Sequence, residues 1–403
     1  MKHSLSLLRR TSLSAIVLGG VALAAATASA QTFFSSGSTG ADGPLTFTAP
    51  LPGDPPVEQV IDMSAKPDGI WNYTSVNIPA GVKVSFTKNT ANTGVIWLAT
   101  GDVNIAGEVN LDGANPNTTS VARGVEAPGG PGGFAGGRGG RRFDVSGSYS
   151  GTPGEGPGGG LPGTNVVNPE GGTYGAAGWA GLFPPLLGGS GGGGSVAYFS
   201  DDGNNGGGGG GAILVASSGT IRVDGSIHAT GGSTSTPTYA GFGSGSGGAI
   251  RLVANRIEGN GLITAVGGGG NGGPGRIKTE AFVFQLTNLT NPIATEDRPV
   301  PTCPTDLGSI RITSIAGQVV PLSPGGNTAS PDVIFSQAGP ITVYLATTNI
   351  PQGTPLTVRV ATVGQVIIVP NNLVNSAGNA SATLTVPAGF GTIQAYAEYM
   401  VTP

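Results

Sequence analysis

Four short stretches of this chain repeat one another. Gly94 opens GVIWLAT, Gly211 opens GAILVAS, Gly248 opens GAIRLVA and Gly275 opens GRIKTEA. Three of the copies continue alike, as VNIAGEVNLDG from Val103, IRVDGSIHATGG from Ile221 and IEGNGLITAVGG from Ile257. Each unit reads as short alternating β segments joined at glycine corners, too small to bury an apolar face alone. Units of this kind are stable only when stacked, which predicts an all-β chain built around a short parallel β-solenoid. In each first strand, the residues two and four places after the glycine are expected inside: Ile96 and Leu98, Ile213 and Val215, Ile250 and Leu252. Ile96, Ile213, Ile250 and Ile277 would then stack as one interior column, about 4.8 Å apart between passes.

The residues expected outside are also apolar in the early copies: Val95, Trp97 and Ala99, then Ala212, Leu214 and Ala216. A strand apolar on both faces is buried on both faces, so the outside of the early passes needs a cover. Arg276, Lys278 and Glu280 in the last copy read instead as a solvated end. The nearest candidate for the cover is an insertion, residues 114–210, of unusual composition. Glycine falls on every third residue at 130, 133, 136 and 139, and again at 172, 175, 178 and 181. That period suits extended left-handed helices with three residues per turn, a polyglycine-II-like arrangement in which backbones hydrogen-bond to one another. Trp179, Phe183 and Leu187 would supply apolar partners for Trp97 and Leu214, giving an ordered layer.

The flanking segments divide the rest. Residues 1–30 read as a signal peptide: Lys2, Arg9 and Arg10, an apolar stretch from Ala15 to Ala26, and an Ala28-Ser29-Ala30 cleavage site. Residues 31–73 are Pro-rich and expected to cap the stack, which occupies 74–286 with its insertion. A Pro- and Asn-rich linker covers 287–306 and holds the single cysteine, Cys303, so an internal disulfide framework is excluded. Residues 307–403 alternate in polarity between Pro, Gly and Asn turns at hairpin spacing. About seven short strands in such a length fit an immunoglobulin-like β-sandwich, although its Cys–Trp–Cys signature is missing.

The GGAIRLVA, GNGLITA and GRIKTEA pattern of residues 247–281, with GSIRITSIAG at 308–317, resembles a family of secreted bacterial glycine-rich repeat proteins. The resemblance implies a right-handed β-helix, a C-terminal domain and a secreted address. It brings no catalytic residues to carry over.

Without Lys2, Arg9 and Arg10, the 18 basic residues fall to 15 against 22 acidic ones, a net charge of −7. Nucleic acid, which needs a basic footprint, is therefore not an expected partner, and the small cluster Arg138, Arg141 and Arg142 reads as a solvated loop. No stretch after the signal is long and apolar enough to predict a membrane span. Polysaccharide-cleaving β-helices need carboxylates converging on one outer face. The aligned positions Ala106/Asp224/Asn260, Glu108/Ser226/Leu262, Asn104/Arg222/Glu258 and Asp112/Thr230/Val266 never hold two acids. His228, the sole histidine after the signal, aligns with Asn110 and Thr264 and has no second ligand at zinc spacing.

Asp201 and Asp202, in a glycine-rich loop, are the candidate calcium ligands, and no other cofactor is implied. Tyr344, Tyr396 and Glu398 are the candidate ligand-binding residues, because exposed tyrosines beside a carboxylate can stack on sugar rings; tyrosines also serve as cross-strand pairs that stabilise a sheet. The expectation is a non-enzymatic secreted scaffold, extracellular or at the cell surface, with the periplasm also open. Surface polysaccharide or a second copy of the chain would be its partner. The alternative is a carbohydrate-binding or polysaccharide-active β-helix protein.

Overall fold

The computed structural model describes residues 33–116, 125–140, 151–156, 158–162, 186–195, 203–234, 243–269, 272–299, 309–322, 331–335, 338–362, 365–389 and 391–397. Among them the chain is all β, apart from one 3-10 turn at Met63–Ala65. The N-terminal strands are β1 (Gly43–Thr46), β2 (Val57–Asp62), β3 (Ile70–Ile78), β4 (Val82–Thr87), β5 (Val95–Ala99), β6 (Val103–Ile105) and β7 (Glu108–Asn110). After the glycine-rich insertion come β8 (Ala212–Val223), β9 (Ser226–His228), β10 (Ala249–Gly259), β11 (Leu262–Thr264), β12 (Arg276–Leu286) and β13 (Thr295–Asp297). One eight-stranded sheet holds β1, β3, β5, β6, β8, β10, β12 and β13; a five-stranded sheet holds β2, β4, β7, β9 and β11. Both are parallel throughout.

The chain visits the two sheets in turn and changes direction at glycine corners. These corners stack so closely that a Cβ on Gly225 would land on the Gly107 carbonyl, and one on Gly261 on the Gly225 carbonyl. The Ser226 amide donates to Gly107 O and the Leu262 amide to Gly225 O, both at 2.9 Å. A larger residue at the corner would separate successive passes and break the ladder on either side.

Register confirms the expected columns in the later copies and corrects both at the first copy. Ile213, Ile250 and Ile277 do stack and face the interior, but their partner in the first copy is Val95, not Ile96. The strand β5 is slipped by one residue relative to the expected alignment, and a one-residue slip exchanges the faces of every side chain. Val95, Trp97 and Ala99 therefore lie in the main core, while Ile96 and Leu98 face outward. Because all five residues of β5 are apolar and buried, alternation could not choose between the faces. Size does: Trp97 sits fully buried against Tyr73 and Phe86, ring centroids 6.2 and 5.9 Å away. Its indole N–H finds no acceptor among the described residues.

The outer face of the early passes is covered, as expected, but chiefly by another segment. Phe34 packs on Ile96, Leu98, Leu214, Ala216 and Val253. Its backbone is pinned by Asn255, whose Oδ1 accepts from the Phe34 amide at 2.8 Å. Ser36 Oγ donates to Ala99 O at 2.7 Å and Ser38 Oγ to Tyr73 O at 2.8 Å. Residues 34–38 thus run across the strands as a strap. Leu186 from the insertion covers Ala212 and Ala249; Leu187 is half-buried, and Trp179 and Phe183 lie outside the described residues. The last copy is not simply solvated either. Glu280 is buried between Arg251 (2.6 Å) and Lys278 (3.0 Å), and Lys278 also approaches Asp297 at 3.5 Å.

The glycine-rich segments are ordered by a backbone hydrogen-bond network with a period of three residues. The amides of Phe134, Gly137 and Gly140 donate to the carbonyls of Gly189, Gly192 and Ser195. Those three residues donate to Gly210, Gly207 and Asn204, and Gly209, Gly206 and Gly203 donate back to Phe134, Gly137 and Gly140. The residues between face other neighbours: Gly191 and Gly194 donate to Glu155 and Thr152, while Ser190 and Gly193 accept from Ser246 and Gly243. Three residues, three directions, then the pattern repeats. A side chain on Gly191 or Gly194 would overlap the carbonyl of Ala135 or Arg138.

The C-terminal strands are β14 (Ser309–Ile315), β15 (Gln318–Val319), β16 (Gly339–Thr348), β17 (Pro355–Thr362), β18 (Gln365–Leu373), β19 (Asn379–Val386) and β20 (Gly391–Ala397). They form two sheets, β15-β14-β16-β19 and β18-β17-β20, whose paired strands are antiparallel. One apolar core is shared between them, with Ile341, Val343 and Leu345 from the first and Leu356, Val358 and Val360 from the second.

Two experiments test this architecture. Phe86 lies on the five-stranded sheet, so a Trp97/Phe86 double-mutant cycle to alanine should give about 0.5–1.5 kcal/mol of coupling in denaturant unfolding; zero coupling would place Trp97 outside. Gly191→Ala should cost about 3 kcal/mol or more by overpacking. Gly269→Ala, whose Cβ would meet nothing nearer than 3.5 Å, should change stability by less than about 0.5 kcal/mol.

Candidate functional site

Two places gather chemically capable side chains. The first is a seam where the parallel sheets, the glycine segments and the C-terminal sheets meet. Glu155 is the lone charged residue among the described residues 151–156 and 158–162, and the carbonyls and amides around it are committed to the glycine network: its amide donates to Ala135 O and its carbonyl accepts from Gly191, both at 2.9 Å. Burial pushes its carboxyl up to about 8, and the nearby Glu126 and Asp332 carboxylates push the same way, against an Ala135 backbone hydrogen bond and the Lys88 ammonium. Lys88 follows β4 and donates to Gly133 O at 3.0 Å; burial lowers its pKa, and Glu155 opposes that shift. Glu126 is paired with Arg138 at 3.9 Å.

Arg359 closes the same seam. It lies on β17 between core residues Val358 and Val360, so its side chain leaves the opposite face of the sheet. There it is buried at 4% exposure and donates to Gly156 O and Gly159 O, both at 3.1 Å. The guanidinium fork is thus held by the turn that carries Glu155. A groove of about 370 Å³ borders Lys88 on the other side, lined also by Phe86, Asn110, Asp112 and Pro128. Chemically, Glu155 can hold a proton at neutral pH within a buried seam, which is the property of a general acid or of a pH-sensitive joint.

The second place is the outward face of β14, β16 and β19. Tyr344 is 52% exposed there. Its directly opposite neighbours are Ser314 and Ser381, so it has no aromatic cross-strand partner. A concavity of about 540 Å³ surrounds it, with Asn375 and Leu373 on the rim.

The other residues singled out by sequence fall as follows. Tyr396 lies on β20, in the other sheet, opposite Thr357, so the fold does not bring it beside Tyr344. Glu398, Asp201, Asp202, Cys303, Arg141 and Arg142 lie outside the described residues. His228 is half-buried on β9 between Asn110 and Thr264, in the expected register. Asp224 sits at a corner and pairs with Arg222 at 2.5 Å. Among the described residues, no group of three or more His, Cys, Asp or Glu is arranged to hold a metal, and no helix is long and apolar enough to cross a membrane.

Sequence reasoning missed Glu126, Glu155, Asp332, Lys88 and Arg359, which are far apart in the chain. One signal was available: an acid isolated in a glycine run has no water-filled loop to sit in once that run packs. No family model, curated protein or solved structure matches the chain.

The seam makes stability depend on pH. The folded pKa of Glu155, about 8, lies above its ordinary value of 4.5, so the folded state holds a proton that the unfolded state releases between those values. Its contribution is complete below the ordinary value and is lost as pH rises through about 8, at up to about 1.4 kcal/mol per pH unit. Denaturant midpoints measured from pH 5 to 9 should show this decline in the wild type, and Glu155→Gln should flatten it and be the more stable at pH 9.

Proposed function

We propose that the protein is a non-enzymatic secreted scaffold of the bacterial surface or extracellular matrix. In this reading the two parallel sheets are a short right-handed β-solenoid, the glycine segments are a polyglycine-II-like bundle, and residues 307–403 are an immunoglobulin-like sandwich. It follows the resemblance of residues 247–281 and 308–317 to secreted glycine-rich repeat proteins. The observation that carries it is the three-way backbone network of residues 189–195, continuous with the parallel sheets and clasped to β17 through Arg359.

Ordering so many glycines opposes folding strongly, since glycine loses more backbone freedom than any other residue. A chain that nevertheless orders them gains stiffness: backbone hydrogen bonds on every side and no flexible side chains between them. Stiffness is what a spacer or adhesive stalk requires. A second reading, a carbohydrate-binding or polysaccharide-active protein, is favoured by Tyr344 for binding and by the raised Glu155 carboxyl for chemistry.

The two readings part in one experiment. The mature chain, beginning at Gln31, is incubated with neutral and acidic polysaccharides while reducing ends and retention on the polymer are both followed. Retention without new reducing ends is the expected result. Release of reducing ends that disappears in Glu155→Gln would replace the scaffold reading with an enzymatic one.

A further inference from the structure

We propose that the solvent face of β14, β16 and β19 is a binding subsite for a neutral sugar ring of a polysaccharide, with Tyr344 as its stacking platform. The proposal rests on the adhesive-scaffold reading and names the partner for it.

A tyrosine that stabilises a sheet packs on a large residue directly across from it. Here both facing residues, Ser314 and Ser381, are too short to reach the ring. Along its own strand it is flanked by Thr342 and Ala346, and diagonally across β19 by Asn379 and Thr383. The ring therefore stands above a floor of small side chains, with aromatic surface left in water. Burying such a ring releases free energy that the sheet itself does not collect.

The wall and rim supply polar groups. Leu373, at the end of β18, and Asn375, from the connection to β19, border the concavity. Asn375 uses its Oδ1 to accept from the Ala377 and Asn379 amides, at 2.9 and 3.0 Å. That fixes the side chain and leaves its amide NH2 group as a positioned donor. The side chains of Asn379 and Ser381 are exposed on the floor. On β14, Thr313 is the extra residue of a bulge, since Ile312 faces Leu345 while Ser314 faces Tyr344. Bulges re-aim side chains, and the Thr313 hydroxyl here donates to Tyr344 O at 3.1 Å, holding the strand that carries the platform.

Ligand class follows from this chemistry. An aromatic face matches the axial C–H face of a pyranose, and the amides and hydroxyls match its equatorial hydroxyls. None of the residues lining the concavity is charged, which favours a neutral sugar over a uronate. At about 540 Å³, the space falls within the range of ligand sites.

Affinity electrophoresis of the full mature chain through gels holding a β-glucan, a mannan, a galactan, polygalacturonate or alginate tests it. At least one neutral polymer should retard the protein. Tyr344→Ala should weaken that retardation roughly ten-fold, Tyr344→Trp should keep it, and Asn379→Ala should weaken it in part. A near-UV spectrum and unfolding midpoint like the wild type's would show that the half-exposed site was altered without loss of fold. Retardation by a neutral polymer that survives Tyr344→Ala would overturn the subsite and leave the adhesive reading standing. Retardation by the acidic polymers alone would overturn the neutral-sugar assignment. If no polymer retards the protein, the subsite fails; if it also fails to adhere to whole cells or matrix, the adhesive reading fails with it.

Discussion

Backbone touching backbone, closer than any Cβ permits, is the constraint on which the rest of this molecule depends. It operates in two forms. At the corners between the parallel sheets, Gly107, Gly225 and Gly261 let successive passes stack with carbonyl against Cα. In the insertion, the same closeness is extended into a bundle whose central segment, residues 189–195, is bonded on three sides. Side chains are nearly excluded from its interior, so the hydrophobic effect contributes little there. Hydrogen bonds must offset the entropy lost, and they do so only because almost every amide and carbonyl finds a partner in the dry interior, where an unpaired one would be costly. The bundle is therefore cooperative: one inserted methyl group separates several neighbours at once.

The parallel-stacked strands and the three-residue glycine period were legible because both are periodicities, and periodicity survives in a single sequence. The slip at β5 shows where that legibility stops. Aligning Gly94 with Gly211 sets Ile96 opposite Ile213, but the second halves of the same copies place Val103 opposite Ile221, an offset one residue larger. The structure uses the larger offset throughout β5 and β6. Carrying it back to the first strand would have placed Trp97 inside. In the later pair of copies the discrepancy is real: Ser218 and Gly219 face the single Asn255, and the irregularity absorbs the extra residue. An indel is cheap where a bulge can take it up, so glycine alignment alone is a poor guide to register.

The seam at Glu155 was illegible for a different reason. Lys88, Glu126, Glu155, Asp332 and Arg359 share no pattern and no sequence neighbourhood; only the packing of the bundle on β17 collects them. In the sequence Arg359 is one alternating polar residue of a strand. What sequence cannot state is that the face it occupies looks onto the Gly156–Gly159 turn and not onto water. Tyr344 was legible as an outward aromatic residue, yet the choice between a sheet-stabilising pair and a ligand platform awaited its cross-strand partners, Ser314 and Ser381.

The strap explains one more regularity. Following the outer column across the large sheet, Ile70, Ile96 and Leu214 give way to Arg251 and Lys278, while the neighbouring column runs Leu98, Ala216 and Val253 to Glu280 and Asp297. Apolar residues persist as far as Phe34 and Leu186 can cover them, and Val253 is the last along the column in the cluster that contains Phe34. Beyond it, the positions carry opposite charges that pair across strands, Arg251 with Glu280 and Lys278 with Asp297. An uncovered apolar column at the end of a parallel stack would invite a second chain. Paired ions satisfy one another and leave nothing for that chain to bury. The length of the strap and the point where charge begins are thus two expressions of one requirement, that every apolar stripe on the outside of the stack have a cover belonging to the same molecule.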